Sequence, residues 1–253
     1  MSGMWWSAGA DFGLGLLLGW VGGIFGIGGG LIAIPTLIWL FGLDQQMAQG
    51  TALVMIAPNV LLGFVRYRQR NPIDLGSAAL LGLTATASAC VTARYATRIE
   101  AQSLRLAFAL FLVALAAILL WGLRPASSTP SPQPGRVLPK PFLGLLGLTG
   151  GVFSGLFTVG GGLVAAPVLT GLFGIRRQTT AQGLSLALVA PSALIALLTY
   201  ASVDKVDWSL GLPLAAGGLI SISWGVSLAH RLPEKQLRLL FCLLLVATAG
   251  LMW

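Results

Sequence analysis

Apolar residues run through this chain in long blocks separated by short polar patches, too long and too uniform for alternating strands or one-sided surface helices. A first set occupies residues 12–27, 31–41, 46–66, 74–97 and 101–123. A second occupies 142–159, 163–173, 179–200, 208–231 and 234–253. Most blocks approach the roughly 20 residues that carry a helix across a ~30 Å hydrocarbon core. Residues 31–41 and 163–173 do not: at about 1.5 Å per residue each reaches only half way. The pattern predicts helices throughout, most crossing a membrane and two of half length.

The two sets are copies. Gly26-Ile27-Gly28-Gly29-Gly30-Leu31-Ile32-Ala33-Ile34-Pro35 returns as Val159-Gly160-Gly161-Gly162-Leu163-Val164-Ala165-Ala166-Pro167, with Gly30 on Gly162 and Pro35 on Pro167 at a shift of 132. One inserted residue later the shift is 133. It pairs Gln49 with Gln182, Pro58 with Pro191, Tyr67 with Tyr200, Asp74 with Asp207 and Arg105 with Arg238. The chain therefore divides into a first membrane repeat (1–123), a polar, proline-rich linker (124–140) that is extended or disordered, and a second repeat (141–253).

Each glycine triplet, Gly28-Gly29-Gly30 and Gly160-Gly161-Gly162, is expected to break its helix, because glycine is costly inside one. The prolines that follow fall in the first turn or so of the short block, where a missing N–H does least harm. The expected form is a re-entrant pair of half-helices meeting near the membrane midplane. Gly15, Gly19 and Gly23 are spaced by four, which puts them on one face as a close-packing stripe. Pro58-Asn59 and Pro191-Ser192 interrupt the next span of each copy.

Composition narrows the class. Apolar residues make up 56% and charged residues 9%, against about 25% charged in soluble domains. The net charge of +8 sits at the ends of apolar runs, as topology signals do, and forms no basic face with interleaved aromatics. Nucleic acid is excluded as a partner; the lipid bilayer is the expected one. Cys90 and Cys242 do not correspond across the repeat, and a lone His230 offers no metal spacing, so no metal, cofactor or thiol chemistry is expected. The first twenty residues lack a basic leader and cleavage site, and read as the retained start of the first span. Trp5, Trp6, Trp121, Trp208 and Trp253 fall near span ends, as an interfacial belt requires.

Basic residues choose between two topologies. With re-entrant short blocks each copy crosses an odd number of times, and the copies are inverted. An outside N-terminus then puts eleven basic residues inside and leaves Arg94, Arg98, Arg105 and Lys205 outside. If the short blocks cross fully, the copies are parallel and the split is near even. The charges favour two inverted repeats, each a glycine-broken half-helix pair plus three transmembrane helices, with both termini outside; Arg94 and Arg98 conflict with the rule.

Such repeats with broken helices are a recurring transporter plan. Half-helix N-termini at Leu31 and Leu163 would aim unpaired amides and the positive end of the dipole into the membrane, an anion site without a charged side chain. Gln49, Thr51 and Asn59 in the first copy, and Gln182, Ser185 and Ser192 in the second, would add donors from the next span. The alternative is that these side chains only satisfy backbone groups freed by glycine and proline. No lysine-serine or lysine-threonine pair follows either triplet, so a nucleotide loop fails. No Asp, Glu or His lies mid-span, which fits gradient-driven anion movement better than a proton relay. A membrane enzyme would need a clustered acid, base or metal set that the sequence lacks.

With these residues in view the chain resembles the TauE/SafE sulfite exporter family, the toluene-sulfonate uptake permease group. The likeness rests on 19–35 with Gln49-Gly50-Thr51 and Pro58-Asn59, and on 151–167 with Gln182-Gly183 and Pro191. It implies a bacterial or archaeal inner-membrane permease for a small sulfur-containing anion such as sulfite, thiosulfate or an organosulfonate. The second copy departs at Ser192 and Leu184-Ser185. A non-transporting assembly or chaperone subunit is the remaining alternative, and monomer against homodimer stays open.

Overall fold

The computed structural model describes residues 2–71, 73–122, 140–158, 160–171 and 178–250. Among them the first copy supplies α1 (Ser2–Phe25), α2 (Gly30–Phe41), α3 (Gln45–Arg70), α4 (Leu75–Ala96) and α5 (Ala101–Gly122). The second supplies α6 (Lys140–Phe157), α7 (Gly160–Gly171), α8 (Gln178–Ala201), α9 (Trp208–Ala229) and α10 (Glu234–Gly250). There is no strand among the described residues. The starts of α3, α4 and α5 recur in α8, α9 and α10 at the sequence shift of 133. Among the described residues six helices (α3, α4, α5, α6, α8 and α9) are long and apolar enough to cross a membrane. Residues 124–139 of the linker, Arg176-Arg177 and Trp253 lie outside the described residues, as do the side chains of Trp5, Trp6 and Trp121.

Local chemistry sets the helix ends. Asp74 begins α4 by accepting from Ser77 N–H (2.8 Å) and Gly76 N–H (3.3 Å). Its counterpart Asp207 begins α9 through Ser209 N–H (3.0 Å) and Leu210 N–H (3.2 Å). Each carboxylate satisfies amides that a helix start leaves without partners. Asp44 caps α3 through Met47 N–H (2.7 Å) and pairs with Lys205 (3.1 Å). α1 ends in a glycine C-cap: Gly26 is left-handed (φ 67°) and Ile27 N–H bonds back to Gly22 O (3.0 Å).

The copies exchange partners. α1 packs most extensively on α9, and its counterpart α6 on α4; α3 and α8 form the centre, and α5 meets α10. Glycine stripes make the first two contacts close. A Cβ on Gly15, Gly19 or Gly23 would strike the α9 backbone at Leu214, Gly218 and Ile222. On α6, Gly147, Gly151 and Gly155 meet Leu81, Ala85 and Ala89 of α4 in the same way. The expected packing role of the Gly15-Gly19-Gly23 face is therefore what the structure has. Large apolar side chains such as Leu83, Leu110, Leu198 and Trp224 face outward, as lipid contact requires.

α3 and α8 run antiparallel. Gln49, near the start of α3, touches Tyr200 at the end of α8, and Tyr67, near the end of α3, touches Gln182 at the start of α8. Lys205 meets Asp44 at one end of the bundle, and the α4–α5 connection joins that end through Gln46 Nε2 donating to Ala96 O (3.4 Å). At the other end Asn71, just beyond Arg66, Arg68 and Arg70, contacts His230 beside Arg231.

Three details differ from expectation. The first break is residues 26–29, ending at Gly30, the last of its triplet, and Gly28 and Gly29 also take positive φ (69° and 89°). The second break falls earlier: Thr158, the counterpart of Gly26, is left-handed at φ 62°, and Gly160-Gly161-Gly162 form the first turn of α7. Within that turn Gly161 is pressed against Gly150 O and Leu188, where a side chain would not fit. Finally, α1 has 24 residues and α6 has 18, so each break joins a long helix to a half-length one, not two halves.

Candidate functional site

With α3 as a ruler, the first break can be placed. Tyr67 Oη lies 3.0 Å from Gly23 O near the end of α1, with Gln182 Oε1 at the same distance. From there the chain doubles back: Gly28 lies against Ile56 and Val60, and Gly29 against Met55 of α3 and Leu18 of α1. α2 thus begins beside the middle of α3. Its first intrahelical bond is Ala33 N–H to Gly29 O (3.1 Å), and no side chain caps the end. The amides of Gly30, Leu31 and Ile32 are therefore left without intrahelical acceptors in a buried place. In the second copy Gly161 and Gly162 lie against Leu188 and Val189, half way along α8, and Leu163 is fully buried.

The side chains named from the sequence divide into those near a break and those at the ends of the central pair. Asn59 is fully buried; its Nδ2 donates to Gly28 O at 3.5 Å, and its Oδ1 has no partner. Ser192 bonds the Ser154 hydroxyl of α6 (2.9 Å) and lies within reach of Val189 O (3.0 Å). Gln182 is brought to the first break at Gly26, but Gln49 lies at the far end of α3. Thr51 accepts from Asp207 N–H (3.0 Å), and Ser185 donates to Ala181 O (2.8 Å) within its own helix. Gln49, Thr51, Ser185 and Ser192 are thus already engaged in protein hydrogen bonds, although Gln49 Nε2 is left unpaired.

Sequence reading missed several groups. Tyr67 and Tyr200 served only as landmarks of the repeat, yet both are fully buried with their hydroxyls bonded to glutamines of the opposite copy. His230 contacts Val226 O through Nδ1 (2.8 Å) and the Asn71 side-chain amide through Nε2 (3.0 Å). Asp11 lies inside α1 and is only 7% exposed. A polar tip in an apolar span was the available signal for the tyrosines. His230 and Asn71 are far apart in sequence and gave none.

A bundle of membrane-length apolar helices, with half-length helices starting beside the middle of its central pair, is the build of a polytopic membrane protein. The sequence model described as Sulfite exporter TauE/SafE matches residues 12–252, and the chain belongs to that family. A probable membrane transporter protein of Xylella fastidiosa (strain 9a5c) is 30% identical over 94% of this chain and 91% of its own. MJ0441 of Methanocaldococcus jannaschii, likewise a probable membrane transporter protein, is 25% identical over 90% and 88% of the two chains. YunE of Bacillus subtilis, another, is 22% identical over 92% of each. No solved structure matches. The chain is a multi-pass membrane transporter of the TauE/SafE family.

Proposed function

We propose that this transporter moves a small sulfur-containing anion, of the sulfite, thiosulfate or organosulfonate class, by alternating access between two inverted repeats. One observation carries the reading: α2 starts inside the bundle with a buried first turn and no side-chain cap. Such an end offers convergent N–H donors and the positive pole of the helix dipole, and so prefers an anion. Glycines at positive φ let the ligand reach the backbone.

Inversion is supported by the central pair. A two-fold axis that relates antiparallel α3 and α8 must lie across them, hence in the membrane plane. The sorting of Asp44 and Lys205 to one end, and of Arg66, Arg68, Arg70 and Arg231 to the other, agrees with an inner membrane whose basic end is cytoplasmic. Both termini then face outward. Gly28-Gly29-Gly30-Leu31 with Asn59, and Gly160-Gly161-Gly162-Leu163 with Ser192, are the two halves of the anion site; Gln49, Thr51, Gln182 and Ser185 frame the route to it.

The test is a thermal-shift panel on purified protein with sulfite, thiosulfate, sulfate, sulfoacetate and taurine, paired with flux in proteoliposomes. One sulfur anion should stabilise the protein and be carried. If none of the five raises the melting temperature or crosses the membrane, the reading is wrong.

A further inference from the structure

We propose that Tyr200 with Gln49, and Tyr67 with Gln182, are the two gates of the transport cycle, one at each end of α3 and α8, and that both are shut in this conformation. The inference deepens the proposed function and rests on its alternating-access reading.

The hydrogen bonds are repeat-equivalent and crossed. Tyr200 Oη donates to Gln49 Oε1 (2.6 Å), and Tyr67 Oη donates to Gln182 Oε1 (3.0 Å). Each joins one copy to the other. Among the described residues they are the two side-chain hydrogen bonds that tie α3 to α8. Gln49 and Tyr67 are eighteen residues apart on α3, or about 27 Å along the helix, so the bonds close opposite ends of one interface. Between those ends lie Gly28, Gly29, Asn59 and the buried start of α2. Separating the copies at one end breaks one bond and leaves the other intact, as alternating access demands.

The chemistry suits a bond that must break and re-form. Gln182 is 2% exposed and the other three residues are fully buried, so each hydroxyl and amide needs a partner in the closed state. Tyr67 has a second acceptor at hand: Gly23 O is also 3.0 Å away, and a hydroxyl with one proton can serve only one of the two. It can release Gln182 without being left unpaired. At the other gate Gln49 Nε2 is buried with no partner, so opening that end to water satisfies a donor that closure strands. Neither gate uses a charge.

Reporter cysteines just inside each gate test this. Leu53 and Leu186 are repeat-equivalent, buried, and one turn from Gln49 and Gln182. In a background with Cys90→Ser and Cys242→Ser, Leu53→Cys and Leu186→Cys are each labelled with N-ethylmaleimide in detergent, with and without Tyr200→Phe or Tyr67→Phe. Loss of one buried hydrogen bond should speed labelling about 2- to 10-fold at the reporter beside the altered gate. The far reporter should keep the parent rate. Equal acceleration at both reporters, or none at either, overturns the gates. If a phenylalanine variant does not fold, Gln49→Met or Gln182→Met removes the other half of the same bond and carries the same expectation. Flux in proteoliposomes separates the two ideas: a parent that carries no sulfur anion sinks the substrate reading, whereas flux with evenly spread labelling sinks the gates alone.

Discussion

The same substitution on one helix should have opposite signs at two glycines. On α6, a Cβ at Gly151 would run into Ala85 O, Ala85 Cα (2.6 Å) and the Ser88 hydroxyl of α4, whereas a Cβ at Gly144 has nothing within 4 Å. Alanine at either site gains roughly 0.5–1 kcal/mol of helix propensity. At Gly144 that gain stands alone. At Gly151 it is opposed by overpacking, typically 1–3 kcal/mol. The obstacle here includes backbone, which moves only if α4 and α6 separate, so the upper part of that range applies. The net loss is about 2 kcal/mol. For a chain of this size 1 kcal/mol is roughly 2–4 °C in melting temperature. Gly144→Ala should therefore rise by about 1–4 °C and Gly151→Ala fall by about 4–8 °C in thermal unfolding of the detergent-solubilised protein. The first copy repeats the experiment: Gly13 has nothing within 4 Å, and Gly19 faces Gly218 and Ser221 of α9. Shifts of the same sign at Gly144 and Gly151, or a neutral Gly151→Ala, would refute close backbone approach as the reason for the stripe.

The ends of the bundle give further expectations. The Ser77 hydroxyl, then the Ser77 and Gly76 amides, hold the Asp74 carboxyl below its usual range. The stabilisation is present above the ordinary carboxylate pKa and is lost as pH falls through the lowered value. Hydrogen exchange in the first turn of α4 should accelerate on acidification, and Asp74→Asn should flatten that dependence. Asp207 is held down in the same way, chiefly by the Ser209 hydroxyl, so the first turn of α9 should respond alike. Asp44 and Lys205 keep 44% and 32% of their side-chain surface exposed. A double-mutant cycle should give a coupling of only about 0.2–1 kcal/mol, shrinking as salt is added; a coupling that ignores salt would mean a drier pair than the structure has.

Helices and breaks were legible because they follow from composition along a single stretch of chain. Apolar length gives the spans, Asp74 and Asp207 mark their starts, and the glycine stripe announces a close helix contact. The repeat also told which residues correspond. It could not tell which would touch, since Tyr67 and Gln182 are 115 residues apart and Tyr200 and Gln49 are 151 apart. Pairing like with like brought Gln49 and Gln182 into one imagined site, whereas the antiparallel central pair sends them to opposite ends. The second break was misplaced for a different reason. A β-branched residue in the left-handed region is disfavoured locally, so Thr158 gave no sign that it would take the role of Gly26.

The copies agree where they hold the bundle together and differ beside the breaks, and that difference is testable at Asn59. Its counterpart Ser192 is small, with its hydroxyl already bonded to Ser154 and near two backbone carbonyls. Asn59 instead carries an Oδ1 with no partner and an Nδ2 held only by a 3.5 Å contact to Gly28 O. In the proposed anion site, an amide so weakly held would turn its N–H toward the ligand at the start of α2. Asn59→Ser removes that donor, and with it an unpaired buried oxygen whose cost is about 1–3 kcal/mol. The small cavity left behind works the other way by a similar order. The melting temperature without ligand should therefore stay within a few degrees of the parent, roughly 1 kcal/mol, while the stabilisation by the preferred sulfur anion should largely disappear. An Asn59→Ser protein that keeps the full anion-induced shift would show that the first copy binds through its backbone amides alone, and that its divergence from Ser192 serves packing.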